Sequence, residues 1–139
     1  MRILVLKTVF RPLFVIIMKK KILIVEDDAV ISTMYRAKFE ADGFEVFTAA
    51  DGSEGLEIAK KQKPNLIMLD VILPQLDGFS VLEHLKKDAK LKKIPVIMMT
   101  NLGTDDDKVK GAKMGAADYL VKASLTPAQI SDRVKHYLK

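Results

Sequence analysis

From Lys21 onward, short unbroken runs of apolar residues alternate with longer stretches in which apolar residues recur at helical spacing. Unbroken runs are typical of strands buried on both faces of a sheet, whereas apolar residues three or four positions apart favour amphipathic helices. The short runs predict strands over residues 22–26, 44–48, 66–70, 95–100 and 117–122. The longer stretches predict helices over residues 29–41, 51–61, 79–87, 104–114 and from 127 to the end of the chain.

Residues typical of helix ends support these boundaries. Gly43 is placed to end the first helix, and Pro64 breaks the chain before the third strand. Thr126, Pro127 and Gln129 form a capping box with proline at the first helical position, which predicts the start of the last helix. Strands that alternate with helices imply right-handed crossovers. The pattern therefore predicts an α/β fold, a five-stranded parallel sheet with five helices covering both faces.

The composition is typical of a globular domain. The chain has 139 residues, of which 49% are apolar and 29% are charged, and this length suits one domain. It contains no cysteine, which excludes disulfides, thiolate metal sites and cysteine nucleophiles. His84 and His136 have no partner at metal-ligand spacing, so we interpret both as solvated helix residues.

Residues 1–17 differ from the rest of the chain. They contain no acid, and Lys7 and Arg11 divide them into apolar runs that are too short to span a bilayer. We interpret residues 1–17 as an N-terminal extension, from an upstream start or an artefact, and residues 18–139 as the domain. The alternative is an additional apolar segment that lies on the domain or mediates self-association. No membrane insertion is predicted.

The net charge of +5 depends on the same segment. Without Arg2, Lys7 and Arg11, the chain has 20 basic residues against 18 acidic ones, a balance of +2. The remaining lysines are spread over several predicted helices and no aromatic residues interleave with them, so we interpret them as solvated surface charges. The sequence therefore predicts no direct contact with nucleic acid.

Polar residues follow or end four of the five predicted strands: Asp27, Asp70, Thr100 and Lys122. Ligands of parallel α/β sheets bind beyond the carboxyl ends of the strands, so we expect these side chains to converge. With Glu26, the two aspartates would form a compact group of the hard oxygen ligands that Mg2+ or Mn2+ prefers. Such a cation would also offset the repulsion between acids at the end of a buried strand.

These groups together suit one type of chemistry. A carboxylate, a divalent cation, a hydroxyl and an ammonium group favour transfer of a phosphoryl group to a carboxylate oxygen, because that reaction depends on positioning and charge neutralisation. A structural interpretation stays open, since an acid after a strand can simply cap the next helix, as Asp28 is placed to do. It is weaker for Asp70, because no helix is predicted directly after it.

The motifs VEDD, MLDVILPQLDG, MMTN and DYLVK occur in this order and resemble the response-regulator receiver domain of two-component signalling, over nearly all of residues 19–139. The resemblance implies a flavodoxin-like, doubly wound sheet with strand order 2-1-3-4-5. It also implies that Asp70 accepts a phosphoryl group from a sensor histidine kinase, a phosphotransfer protein or a small phosphodonor. We therefore expect a cytoplasmic signalling switch and not an enzyme.

The resemblance implies roles for individual residues. Mg2+ would be held by four of them: Glu26, Asp27, Asp70 and, through its carbonyl group, Ile72. Thr100 would move toward the new phosphoryl group, Tyr119 would follow it inward, and Lys122 would pair with a phosphoryl oxygen.

The chain departs from the family pattern near the site. Ala123 follows the lysine where the family usually has proline, often after a cis peptide, and Asn101 stands where most members have a smaller residue. Ile72 and Leu102 occupy positions that influence hydrolysis of the acyl phosphate in the family, and neither apolar side chain can orient water. We predict a comparatively long-lived phosphoryl group.

Two rival functions stay open on this architecture. A flavin- or mononucleotide-binding module would need a glycine- or hydroxyl-rich loop where this chain has Glu26, Asp27 and Asp28. An aspartyl-phosphate phosphohydrolase usually carries a general acid where this chain has Ile72. Because no linker or DNA-binding segment follows the last helix, a stand-alone protein of chemotaxis or phosphorelay type is expected, acting on an effector protein through residues 105–139.

Overall fold

The computed structural model describes residues 19–139 and contains all five predicted strands. They are β1 (Lys21–Val25), β2 (Glu45–Ala49), β3 (Leu66–Asp70), β4 (Val96–Thr100) and β5 (Asp118–Val121). The strands form a parallel sheet in the order 2-1-3-4-5, which confirms the predicted fold. The predicted N-terminal extension, residues 1–17, lies outside the described residues, as does Met18.

Five α-helices connect or follow the strands in the described part of the chain. They are α1 (Ala29–Ala41), α2 (Gly52–Gln62), α3 (Gly78–Lys87), α4 (Asp105–Lys113) and α5 (Pro127–Tyr137). Each begins after a side chain that accepts a backbone N–H: Asp28, Asp51, Asp77, Thr104 and Thr126. The capping box predicted for α5 is present, so the start of this helix follows directly from local sequence.

Two boundaries near the end of the chain differ from the prediction. β5 ends at Val121, and Lys122–Ser124 form a short 3-10 turn that the apolar pattern does not indicate. α5 ends at Tyr137, before the last residue. The first difference matters more, because it places Lys122 at the junction between strand and turn, from which its ammonium group contacts Glu26 directly after β1 and Asp70 at the end of β3.

Successive strand residues contribute to two different apolar cores. Ile22 and Ile24 of β1 lie in the core formed with α1 and α5, whereas Leu23 and Val25 lie in the core formed with α2 and α3. β3 and β4 are buried along their whole length, as their unbroken apolar runs predict. Because helices cover both faces of the sheet, polar side chains can gather only where the strands begin and end, which we call the amino-terminal edge and the carboxyl edge.

Helix α4 is the least anchored of the described helices. Gly111 is its only buried residue, whereas α1 has three buried residues and α3 has four. The position of α4 therefore depends on few contacts. None of the helices within residues 19–139 combines the length and the apolar character needed to cross a bilayer.

Candidate functional site

Three carboxyl groups meet at the carboxyl edge of the sheet. Asp70 is the last residue of β3, and Glu26 and Asp27 follow directly after β1. Val25 of β1 pairs with Leu69 of β3, so the next residues of the two neighbouring strands lie side by side. One carboxylate oxygen from each acid lies within 4.8 Å of the other two. The structure therefore brings together the three acids that the sequence analysis expects to converge.

The expected ammonium group is in contact with these acids. Nζ of Lys122 donates a hydrogen bond to Oδ2 of Asp70 at 2.8 Å and forms an ion pair with Oε1 of Glu26. The backbone N–H of Ile72 donates to the other oxygen of Asp70, Oδ1, at 3.2 Å. The side chains of Lys122 and Asp70 are each 8% exposed and that of Glu26 is 1% exposed. Buried charges of this kind are tolerated only when they are paired.

The charges in the site do not balance without a further cation. Burial, followed by the neighbouring Asp70, raises the pKa of Glu26 to about 7, although Lys122 acts in the opposite direction. Burial alone would lower the pKa of Lys122, but its bonds to Asp70 and Glu26 outweigh this effect and raise it. Oε2 of Glu26 is buried and has no hydrogen-bond partner within residues 19–139. A buried, unpartnered carboxylate oxygen next to two further carboxylates fits a hard divalent cation such as Mg2+.

The loop after Asp70 comes back to the end of β3 at Gly78. The N–H of Gly78 donates to the carbonyl oxygen of Val71 at 2.8 Å. A Cβ atom on residue 78 would lie 2.1 Å from the carbonyl oxygen of Asp70 and 2.8 Å from Cα of Val71. Only glycine therefore allows α3 to begin this close to Asp70.

Thr100 and Tyr119, the two residues predicted to move on phosphorylation, are not hydrogen-bonded to Asp70 in this structure. The Thr100 hydroxyl donates to the carbonyl oxygen of Leu102 at 3.1 Å and accepts from the Leu102 N–H at 3.3 Å. The Tyr119 hydroxyl is buried and has no hydrogen-bond partner among the described residues. Burial raises the pKa of Tyr119 and the negative charge of Asp107 acts in the same direction, whereas the nearby Thr100 hydroxyl acts in the opposite direction. A rearrangement that offers the Tyr119 hydroxyl an acceptor would therefore be favourable.

Two large apolar side chains near the site are exposed. Ile72 is 72% exposed and Leu102 is 80% exposed. Asn101, next to Leu102, is exposed as well. The peptide bond before Ala123 is trans, because residues 19–139 contain no cis peptide.

Two contacts around the site were not predicted from the sequence. A Cβ atom on Gly103 would lie 2.4 Å from Cγ2 of Val121, so the loop between β4 and α4 packs directly on the end of β5. Nζ of Lys110 lies 4.2 Å from the ring centroid of Phe79, which links α4 to the start of α3. The glycine is a local signal of close backbone approach, whereas the cation–π contact joins distant residues and has no local signature.

The sequence matches a known family and known relatives. The family model for the response regulator receiver domain matches residues 22–135. The alkaline phosphatase synthesis transcriptional regulatory protein PhoP of Bacillus subtilis is 41% identical over 122 residues, which cover 88% of this chain and 50% of that protein. The DNA-binding dual master transcriptional regulator RpaA of Synechocystis sp. is 44% identical over 102 residues, which cover 73% of this chain and 42% of that protein. The chain spans about half the length of the curated relatives it matches.

Solved structures share the fold. The chemotaxis protein CheY4 of Vibrio cholerae superposes with a TM-score of 0.81 and 30% identity, over 86% of this chain and 98% of that chain. The BeF3-activated N-terminal receiver domain of RstA from Klebsiella pneumoniae gives a TM-score of 0.80 and 29% identity, over 86% of this chain and 99% of that chain. The match of the family model to most of the chain, the strand order and these structures agree with one another. This chain belongs to the response-regulator receiver-domain family of two-component systems.

Proposed function

We propose that this domain is a phosphoryl-accepting switch in which Asp70 takes a phosphoryl group from the phosphohistidine of a sensor histidine kinase or a phosphotransfer protein. The observation that carries the proposal is the environment of the Asp70 carboxylate. Lys122 binds one of its oxygens, the backbone N–H of Ile72 binds the other, and Glu26 and Asp27 lie beside it. This arrangement holds a buried carboxylate in one orientation, beside an ammonium group that can bind a phosphoryl oxygen and two acids that can hold a divalent cation.

In the proposed reaction, an oxygen of the Asp70 carboxylate attacks the phosphorus atom. A P–O bond forms, the P–N bond to the imidazole breaks, and the imidazole leaves with the electron pair and takes up a proton. Because fixed donors already orient the Asp70 carboxylate, little rearrangement precedes the attack. The Lys122 ammonium group, which is hydrogen-bonded to Oδ2 of Asp70, would pair with an oxygen of the transferred group.

Glu26, Asp27 and Asp70 are the residues that would hold Mg2+, with the carbonyl group of Ile72 as a further ligand. The unpartnered oxygen of Glu26 and the three carboxylates around one ammonium group support this assignment. When bound, the ion neutralises part of the negative charge of the phosphoryl group.

The proposed switch begins at Thr100. Its hydroxyl would exchange the bonds to Leu102 for a bond to a phosphoryl oxygen, and the buried Tyr119 hydroxyl would move with it. Helix α4 has a single buried residue, so a small change beside it can shift its position. The surface formed by residues 105–139 is therefore the proposed docking surface for the effector.

We propose that the output of this switch lies in transcription. PhoP and RpaA are named as transcriptional regulators, and this chain matches 50% of the length of PhoP and 42% of the length of RpaA. Phosphorylation would then control a DNA-binding domain or partner. A second candidate is a separate effector protein of chemotaxis type, which is supported by the similarity to CheY4 over 98% of that chain. We propose a cytoplasmic location for the domain, since either output requires it to meet the phosphohistidine of its kinase there.

Intact-mass measurement after incubation with acetyl phosphate and Mg2+ tests the proposal. We expect one phosphoryl group per chain in the wild type, none in Asp70→Asn, and normal modification in Asp77→Asn, which changes a nearby exposed acid at the cap of α3. Unmodified wild type, or equal modification of Asp70→Asn, would contradict the proposal. Steady release of many phosphates per chain would support the phosphohydrolase alternative.

A further inference from the structure

A second charged feature lies at the opposite, amino-terminal edge of the sheet. The end of α2 and the connection between α3 and β4 carry six exposed lysines, which we call the lysine surface: Lys60, Lys61, Lys63, Lys90, Lys92 and Lys93. These two segments are separate in the sequence. The fold places them together, because Lys60 and Lys63 line the same cleft of about 580 Å³ as Lys90.

The lysine surface has little compensating charge. Within residues 19–139, no carboxylate oxygen lies within 4.0 Å of any of its six ammonium groups. The cleft contains one acid, Asp88, whose Oδ1 already accepts the backbone N–H of Lys90 at 2.8 Å. The positive potential of this surface is therefore left to attract an external anion.

The backbone that carries these lysines is well fixed. Leu91 is 2% exposed and anchors the connection in the core, and its N–H and that of Lys92 both donate to the carbonyl oxygen of Asp88. Nζ of Lys86 donates to the carbonyl oxygens of Lys92 at 3.0 Å and Ile94 at 3.2 Å. An anion would consequently meet a connection whose backbone is already ordered, so the ordering cost on binding falls on the lysine side chains.

Helix electrostatics explain only part of this surface. Lys60 and Lys61 lie in the last turn of α2, where basic residues stabilise the negative end of the helix dipole. Lys90 and Lys93 lie beyond the end of α3, so this explanation does not extend to them. Lys63 has a left-handed backbone with φ of 47°, at a position where glycine or asparagine is usual.

The residue types indicate the class of partner. Protein interfaces are depleted in lysine and take much of their binding energy from tryptophan, tyrosine and arginine, and none of these occurs in the two segments that carry the lysine surface, residues 60–63 and 88–94. Single-stranded nucleic acid needs aromatic side chains for stacking, and these are absent from the surface as well. The large exposed apolar side chains of the described residues lie elsewhere, which gives a membrane little to bury: Val30, Met34, Ile72, Leu102 and Val109. Lysines alone suit the phosphate backbone of a duplex.

We propose that the lysine surface binds the phosphate backbone of double-stranded DNA without sequence preference. β3 has five residues and so separates the two edges by about 16 Å, which leaves Asp70 accessible to a phosphodonor while DNA is bound. The charge balance of the whole chain predicts no nucleic-acid contact, but that argument averages over a molecule in which the fold brings six lysines from two separate segments onto one surface.

Salt-dependent binding of the full chain to labelled duplexes of two unrelated sequences, each of about 20 base pairs, tests the proposal by fluorescence anisotropy. The test variant is Lys90→Gln/Lys93→Gln. The matched control is Lys108→Gln/Lys139→Gln, which removes the same charge from exposed lysines outside the surface. Loss of two phosphate contacts should reduce the slope of log affinity against log salt concentration by about two. Between about 50 and 200 mM salt, the affinity of the wild type should therefore fall about tenfold more than the affinity of the variant. The control variant should keep the wild-type slope, and each protein should bind the two duplexes equally well.

Several results would overturn the proposal. The first is an equal loss of duplex affinity in the test and control variants, and the second is no binding to the duplex at low salt. The third is lysine-dependent binding only to anionic vesicles or to a polyglutamate peptide. Asp70→Asn, which cannot be phosphorylated, should bind the duplex like the wild type. Failure of the DNA proposal is thereby distinguishable from failure of the phosphoryl-acceptor proposal.

Discussion

At the scale of single residues, Glu26 and Asp70 are neighbouring acids in different environments. Both oxygens of Asp70 have hydrogen-bond donors, whereas Oε2 of Glu26 has none among the described residues. Burial and the adjacent Asp70 raise the pKa of Glu26 to about 7, so a cation beside its unpartnered oxygen would favour the charged form of this acid. Asp70 is held in place by its donors, as the acceptor in a displacement reaction should be.

The exposed apolar side chains beside the site predict a slow loss of phosphate. Ile72 and Leu102 are 72% and 80% exposed and carry no group that could orient an attacking water. We expect Ile72→Asn to shorten the lifetime of the phosphorylated domain several-fold, because its amide can hydrogen-bond a water molecule next to the phosphoryl group. The measurement is phosphate release over time from purified, phosphorylated protein.

Ile72→Val is the matched control for that experiment, since it keeps the apolar character of the side chain. Its lifetime should stay close to that of the wild type. Equal or faster loss of phosphate from the wild type than from Ile72→Asn would contradict the prediction.

The residues of the site were predictable, but their contacts were not. Asp70 and Thr100 end buried strands, and parallel strands bring such residues to one edge, so convergence followed from the apolar pattern alone. The bond from Lys122 to Glu26 joins residues 96 positions apart and depends on side-chain conformation. The bonds from Thr100 to Leu102 depend on the path of an irregular loop, which has no period to read in the sequence.

At the scale of elements, the first and last helices are joined by a polar contact. Asp42, the residue that ends α1, accepts a hydrogen bond from the hydroxyl of Ser131 on α5. Lys38 lies 3.4 Å and Lys135 lies 3.6 Å from its carboxylate. The bond from Ser131, followed by the two lysines, lowers the pKa of Asp42 below its ordinary value. Deprotonated Asp42 therefore stabilises the packing of α1 on α5.

This contact predicts a pH-dependent contribution to stability. Because the folded-state pKa of Asp42 is lowered, its contribution is present above the unfolded pKa of about 4 and is lost as the pH falls through the folded value. We expect Asp42→Asn to reduce the free energy of unfolding by about 1 kcal/mol at pH 7. The difference from wild type should be smaller at pH 3 than at pH 7, as measured by urea denaturation at both pH values.

Glu40→Gln supplies the comparison, because Glu40 pairs on the surface with Arg36 within α1 alone. Its effect should be within about 0.5 kcal/mol at both pH values. A cost of Asp42→Asn that is the same at pH 3 and pH 7 would exclude a role for its charge.

Boundaries of helices and strands were predicted best where residues close in the sequence determine them, for example by capping a helix. α1 and β3 have the predicted bounds, and the start of α5 follows its capping box. The 3-10 turn at Lys122–Ser124 was missed, because its backbone accommodates contacts between Lys122 and distant acids. Tertiary contacts of this kind override the apolar pattern of the local sequence.

At the scale of the whole molecule, the shared direction of the helices places basic and acidic residues at opposite edges of the sheet. Every described helix has a basic residue in its last turn, and those ends lie at the edge opposite the site. The acids of the site, with Asp28 and Asp51, lie at the carboxyl edge. The domain therefore has an acidic edge that attracts cations and a basic edge that attracts anions.

Binding of Mg2+ at the acidic edge should stabilise the whole domain, because the unfolded chain lacks the site. At a Mg2+ concentration about ten times the dissociation constant, we expect the free energy of unfolding to rise by about 1.4 kcal/mol, measured by denaturation with and without chelator. Asp27→Asn should lose this effect. Glu57→Gln, which changes an exposed acid on α2, should keep it. Equal stabilisation of wild type and Asp27→Asn would contradict a specific site.

The unpartnered hydroxyl of Tyr119 has a consequence for the resting equilibrium of the domain. A buried hydroxyl without a hydrogen bond costs about 1–3 kcal/mol, which corresponds to a factor of about 5 to 150 between two side-chain positions. Any rearrangement that offers this hydroxyl an acceptor recovers that free energy. Such a rearrangement is therefore less costly than it would be for a fully paired tyrosine, and the phosphoryl group has to supply only the remaining part of the difference.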